Sequence, residues 1–401
     1  MPPLAGSHFK TALVHFPFTP EHSKLGRRKA EGGRREASRN MIPLSRVTVT
    51  PEMKQVILDV VDSGRFILGP EVRAFEKEFA GYIGVSHAIA VSQGTAAIQL
   101  AVQAIGLVPG DEVLVPSMTA FPTIEGVIHA GATPVFVDND AYGCMDPQDA
   151  RRRVTGKTVG IVPVHLYGGA ADLDGLHGLA RDRGLWIIED CCQAHGALHG
   201  SRKVGSIGKA GCFSFSPSRN LTVFGDGGMV TTDDPRIADR VRLLRDHGRS
   251  NKHTHVEVGY NLRFNEIQAA VGRCQLALLE DFIAKRRAVA ARYDRAFFNI
   301  AGLTIPSERP GTRMVYHLYP LRCRDTATRD ALRESLKARG VETGMHYPVA
   351  NHLQPAMASR GAPPFLPESE AVARTTVSLP MFPTLSDPDV ETVIAAVRDF
   401  F

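Results

Sequence analysis

The sequence predicts an α/β fold: a large domain (41–285) built on a mostly parallel central sheet, followed by a smaller α+β domain (286–401). Three observations lead there. Seven short runs rich in β-branched and aromatic residues are spaced between residues 87 and 232, most of them separated by segments of helical length. Several of these runs are apolar on both faces, as strands buried between two helical layers must be. A chain of 401 residues, 43% hydrophobic and 22% charged, can bury one large core and a second smaller one.

Taken in order, the first element is a helix. Thr50 supplies an N-cap hydroxyl, Pro51 brings the pre-set φ of a first helical position, and Gly64 closes the segment. Strands are expected at 87–92, 112–116, 134–138, 159–167, 185–190, 211–216 and 228–232, with helices at 95–105 and 173–183 among the segments between them. A long helical pattern from Asn265 to about Phe298 bridges the two domains. The smaller domain holds a strand-like stretch at 315–321, a helix at 327–339, a Pro-rich irregular segment, and a last helix capped by Ser386 with Pro388 in its first turn.

The net charge of +5 resides in residues 1–40, which hold eight Lys/Arg against three Asp/Glu. The remaining residues carry 39 charges of each sign, so the body offers no basic surface for nucleic acid. The arm itself has no apolar run fit for a secretion signal or a membrane span. It is expected to be disordered, either as a flexible tail or as an extended start. Six cysteines (144, 191, 192, 212, 274, 323) show no metal-binding spacing and suit reduced thiols in the cytoplasm.

Several strand ends carry the residues of a binding site. Ligands in open α/β sheets sit beyond the carboxyl ends of the strands, where helix N-termini offer free N–H groups to anions. Ser92-Gln-Gly94-Thr95-Ala96 has that setting, with the amides of Thr95 and Ala96 and the Thr95 hydroxyl as candidate phosphate ligands. The apolar run ending in Asp190 places a carboxylate at the next such position, followed by Gln193 and His195. Ser214 ends a further strand, and His165-Leu-Tyr167-Gly168 follows another.

The stretch Cys212-Phe-Ser-Phe-Ser-Pro-Ser-Arg219-Asn-Leu-Thr-Val-Phe-Gly-Asp-Gly-Gly228 resembles the strand, lysine loop and glycine-rich turn of the DegT/DnrJ/StrS sugar aminotransferases, and the likeness extends over residues 41–401. The resemblance implies the aspartate-aminotransferase type I fold, a homodimer with shared active sites, and pyridoxal or pyridoxamine 5′-phosphate as cofactor. It implies that Gly94, Thr95, Ala96 and Ser214 hold the cofactor phosphate and that Asp190 pairs with the pyridine nitrogen. Gln193 would lie on the side of the ring hydroxyl, and Asn261 would reach the phosphate in the neighbouring subunit. His165, Tyr167, His346 and Tyr347 are the candidate contacts for a keto-sugar or sugar nucleotide, and His195 is a candidate catalytic group beside residue 219.

Two positions depart from the family pattern. Where the family carries its Schiff-base lysine, this chain has Arg219, whose guanidinium keeps its proton and is a poor nucleophile. Where the family stacks an aromatic on the cofactor ring, directly after Thr119, stands Ala120, with Phe121 as the nearest substitute. The expected cofactor is therefore held without a covalent bond. Three readings stay open: amino transfer from glutamate or glutamine to a keto-sugar or cyclitol in secondary-metabolite biosynthesis, a lysine-less relative running a dehydration-type reaction, and a non-catalytic partner that binds a sugar nucleotide.

Overall fold

The computed structural model describes residues 41–401; the basic arm at 1–40 lies outside the described residues. Residues Ile42–Phe401 form one compact unit. Helix α1 (Pro51–Ser63) begins where Thr50 Oγ1 accepts the Met53 N–H at 3.2 Å and ends at Gly64. Helix α2 (Pro70–Ile83) then leads into a seven-stranded sheet. Its strands are β1 (His87–Val91), β2 (Glu112–Pro116), β3 (Thr133–Val137), β4 (Thr158–Ile161), β5 (Trp186–Asp190), β6 (Ala210–Ser214) and β7 (Gly228–Thr232), in the order β1-β7-β6-β5-β4-β2-β3. The five strands from β6 to β3 run parallel, and β7 is antiparallel to both its neighbours.

That reversal creates the site. Because β7 runs backwards, its first residue Gly228 lies opposite the last residues of its neighbours, Val91 of β1 and Ser214 of β6. The carboxyl ends of β1, β5 and β6 and the start of β7 therefore meet at one edge.

The connecting helices are α3 (Gly94–Ile105), α4 (Phe121–His129), α5 (Pro147–Arg153), α6 (Leu173–Arg183) and α7 (Pro235–Arg245). Alternate residues feed two cores: Cys212 and Val230 face the layer of Ile98, Val113 and Ile124, whereas Phe213 and Met229 face Phe75, Phe79 and Phe264. Both faces are apolar because both are covered.

Helix α8 (Glu266–Phe297), capped by Asn265, runs unbroken through the boundary expected at 285. Its second half carries Tyr293, whose ring meets Tyr319 edge-on at 5.0 Å. Tyr319 opens the middle strand of a small antiparallel sheet, β8 (Leu303–Thr304), β9 (Tyr319–Cys323) and β10 (Thr376–Leu379). Helices α9 (Thr326–Ala338), α10 (Pro367–Thr375) and α11 (Asp387–Arg398) complete the C-terminal part, the last capped by Ser386 as expected. No helix of the described residues is long and apolar enough to cross a membrane.

Two expected strands are displaced. The run at 159–167 is regular strand only to Ile161, followed by an isolated bridge of Val164 to Asp190; Pro163 has no N–H to donate, and the chain then enters a short helical turn, Leu166–Gly168, with Tyr167 at φ +58. The stretch at 315–321 forms strand only from Tyr319, because Val315 donates instead to the carbonyl of Gly168. An apolar pattern shows that residues are covered, not which partner covers them.

Candidate active site

The start of α3 is uncapped. Most of the other long helices have a side-chain N-cap, but Gln93 makes no capping hydrogen bond, so the first N–H groups of α3 have no intrahelical partner. They open into a cavity of about 160 Å³, lined among others by Gln93, Gly94, Thr95, Asp190, Gln193, Ser214 and Arg219. Glycine is required twice here for close approach. A Cβ on Gly228 would stand 2.4 Å from the Gln93 carbonyl oxygen, and one on Gly94 would stand 2.6 Å from Cβ of Ser214. We expect Gly94→Ala to push Ser214 away from the helix start, at a cost of about 1–3 kcal/mol in stability. Urea unfolding measures that cost, and weaker inorganic phosphate binding should accompany it.

Asp190 is buried at the end of β5. Its Oδ2 accepts from Thr123 Oγ1 at 2.8 Å and its Oδ1 from the Cys192 N–H at 3.0 Å. Thr123 also lies 3.1 Å from the Thr119 hydroxyl, so α4 orients the carboxylate. Gln193 is held from both sides: its Oε1 accepts the Tyr167 N–H at 2.8 Å, and its Nε2 donates to the Tyr347 hydroxyl at 3.0 Å.

Arg219 lines the same cavity as Asp190 and Ser214, and it is the one cation among the described residues that does so. Its Nη1 donates to Nε2 of buried His317 at 2.9 Å. A guanidinium only donates, so His317 accepts there and is neutral with its proton on Nδ1. Burial, reinforced by the Arg219 charge, pushes the His317 imidazole well below its usual range. The same two causes lower His195 to about 3 and His346 to about 4. The Arg219 loop is pinned by Asn220 Nδ2, which donates to the Val315 carbonyl at 3.1 Å, while Arg286 Nη1 donates to the backbone carbonyls of Tyr316, His317 and Met381.

Several expected site residues stand elsewhere. His195 does not line the cavity; it is fully buried against the rings of Phe213 and Phe215, so a catalytic role beside residue 219 has no geometric support. His165 is likewise a framework residue. Its Nδ1 accepts the Ala171 N–H at 3.0 Å and its Nε2 lies 3.0 Å from the Glu189 carboxylate, which also accepts from the N–H groups of Gly205, Ile207 and Gly208. His165, Glu189 and Cys191 come close enough to consider a metal, but these internal bonds already occupy the His165 and Glu189 donor atoms.

Phe121 packs toward the α3–α4 core while Ala120 and Pro122 line the cavity, because successive residues entering a helix point in different directions. No aromatic ring lines the cavity among the described residues. Tyr167 and Tyr347 touch Gln193 but not the cavity, and the Tyr167 hydroxyl donates to the carbonyl of His346. Ala96 is buried in the first turn of α3 and can contribute only its backbone N–H. Asn261 is exposed, accepts from Arg263 Nε, and stands outside this chain's own cavity.

Two residues that matter here had not been singled out. Thr123 sits in the first turn of α4, and its hydroxyl meets that of Thr119, which precedes the helix. His317 lies 98 residues from Arg219 and carries no local signal.

Residues 48–398 match the profile of the DegT/DnrJ/EryC1/StrS aminotransferase family. The chain is 44% identical over 351 residues to dTDP-3-amino-3,4,6-trideoxy-alpha-D-glucose transaminase of Streptomyces venezuelae, covering 87% of this chain and 92% of that one. It is 41% identical to the erythromycin biosynthesis sensory transduction protein EryC1 of Saccharopolyspora erythraea, covering 86% and 94%. The crystal structure of S. venezuelae DesV in complex with a ketimine intermediate superposes with a TM-score of 0.87 at 42% identity, covering 90% of this chain and 98% of that one.

Proposed function

Since this chain belongs to the DegT/DnrJ/EryC1/StrS aminotransferase family, we propose that it serves amino-sugar biosynthesis, moving an amino group from glutamate or glutamine to the keto group of a nucleotide-linked sugar. Pyridoxal or pyridoxamine 5′-phosphate is held without a covalent bond, in a cytoplasmic homodimer. The observation that carries this reading is the meeting, in one cavity, of an uncapped helix start, Ser214 and an oriented buried carboxylate.

These residues fit such a cofactor except at its covalent anchor. The free N–H groups of α3 with the Thr95 and Ser214 hydroxyls suit a phosphate, and Asp190 suits a protonated ring nitrogen. When bound, the cofactor supplies an electron sink for bonds at the carbon that exchanges nitrogen. Asp190, fixed by Thr123 and the Cys192 N–H, would hold the ring nitrogen in its protonated form. Gln193, fixed by Tyr167 and Tyr347, would hold the ring edge. Arg219 neither bonds to the cofactor nor moves a proton, and no lysine lines the cavity among the described residues. Asn261, exposed and outside its own cavity, suits a role in the partner's site.

Arg219 also favours a second reading, in which the fold binds a sugar nucleotide without turning it over. One experiment separates the two. Purified chain is mixed with pyridoxamine 5′-phosphate and dTDP- or UDP-linked 3-keto-sugars, the class named by several relatives, and a single turnover is followed by mass spectrometry. Amino-sugar formation supports amino transfer. Binding of the sugar nucleotide with no product, even at high enzyme concentration, supports the binding protein.

A further inference from the structure

Arg219 also lines a second cavity, of about 10 Å³. Two more arginines share that lining, Arg46 and Arg286, and no Asp or Glu does. Among the described residues their partners are uncharged: Nη1 of Arg286 donates to backbone carbonyls, Nη1 of Arg219 to neutral His317, and Arg46 rests over the Phe382 ring at 5.6 Å. Arg286 is only 3% exposed, and burial with no opposing charge pushes its guanidinium down to about 9. A charge taken out of water is costly unless a counter-charge meets it.

The buried polar atoms on this lining point the same way. Nε of Arg219, Nε of Arg286 and the hydroxyls of Thr48 and Thr222 are shut off from solvent and have no hydrogen-bond partner among the described residues. Orphaned buried groups are rare in folded proteins, and a cluster of them marks a guest. All four can donate; of the orphaned atoms here only Asn220 Oδ1 must accept. A water molecule would accept from two of the donors and leave the three positive charges as they were, whereas an anion answers both needs. The volume is that of about one water-sized sphere, which excludes phosphate, sulfate and carboxylates and leaves a monatomic ion.

We infer that this small cavity is a binding site for a single halide ion, held between the guanidiniums of Arg219 and Arg286 with the Thr222 hydroxyl donating to it. The inference does not depend on what the larger cavity binds. Because Arg219 lines both cavities, a halide here balances part of the charge that Arg219 brings to the larger one.

Chlorine-35 NMR of the full chain tests it, with sodium chloride exchanged against sodium gluconate at constant ionic strength. The expected result is a saturable broadening of the chloride line that bromide abolishes and that persists in excess inorganic phosphate, which is too large for this cavity but competes for the start of α3. Thr222→Val should weaken the halide about tenfold, the effect of losing one hydrogen bond to a charged group, and Arg286→Met should abolish its binding. Should Arg286→Met not fold, Thr222→Val decides by itself. Absence of broadening overturns the inference and leaves the cavity to a water molecule; broadening removed by phosphate, or an affinity unchanged in Thr222→Val, overturns it by placing the ion elsewhere. Crystals of the chain grown in bromide add a positional test: an anomalous peak between Arg219 and Arg286 supports the site, and peaks only at other places overturn it.

Discussion

Arg219→Lys should introduce a borohydride-reducible link to pyridoxal 5′-phosphate at residue 219 and raise amino transfer by about 10²–10⁴-fold, the range that a positioned proton-transferring group contributes. The argument is chemical. A lysine amine in this half-buried position, beside neutral His317, is pressed by loss of hydration toward its uncharged and nucleophilic form. His317, which now accepts from Arg219, would accept equally from a lysine, so the change should leave the fold intact. Peptide mapping after borohydride treatment reads the link, and the rate follows from amino-sugar formation. A reducible link at another lysine in the unaltered chain would overturn this assignment. Lys209 is the obvious control, since it is exposed at the start of β6 and lies away from the cavity. A link formed in the variant without any gain in turnover would favour the binding-protein reading.

The largest effect on stability is expected from Glu189→Ala. This carboxylate is fully buried and accepts from His165 and from three backbone N–H groups in the loop before β6. Removing it leaves all four donors without their acceptor. Each orphaned donor costs about 1–3 kcal/mol, and breaking a buried pair costs about 3–5 kcal/mol in total, a large share of a typical folding free energy. The urea midpoint should fall with little change in slope, and a loss below about 1 kcal/mol would contradict the network's importance.

The pH dependence has a definite sign. Burial alone would raise the Glu189 carboxyl, but hydrogen bonds from His165, Gly205 and Gly208 outweigh it and hold the group below the usual carboxylate range. A folded-state pKa below the unfolded one means that the stabilisation is fully present above about pH 4.3 and is lost as the pH falls through the folded value. The stability gap between the unaltered chain and Glu189→Gln should therefore be constant near neutrality and shrink only in acid.

Much of the architecture was legible because its signals are local. Thr50, Asn265 and Ser386 each begin a helix with a side-chain oxygen that accepts a backbone N–H a few residues away. The strands β2 and β7 occupy the expected residues because both of their faces are apolar. Asp190, Ser214, Gly94 and Thr95 could be placed together because each ends a strand or starts a helix at the same side of a parallel sheet. The misplaced residues failed for the opposite reason. His165 and His195 follow strands in sequence just as a site residue would, yet one is turned inward to a buried glutamate and the other lies against aromatic rings. Position along the chain does not reveal which way a side chain leaves a loop.

By itself the amino-acid sequence determined the α/β class, the order of the elements, the strand-to-helix turn at Gly94-Thr95 and the presence of Arg219 where the family carries lysine, since all of these depend on residue type and short-range spacing. Tertiary structure decided what that arginine does. Its partner His317 and the pinning by Asn220 and Arg286 arise between residues 31 to 98 positions apart in the chain, brought together only when the chain folds back on itself. Charge complementarity is a property of such assembled neighbours, so what the space beside Arg219 can hold could be read only once they were in place.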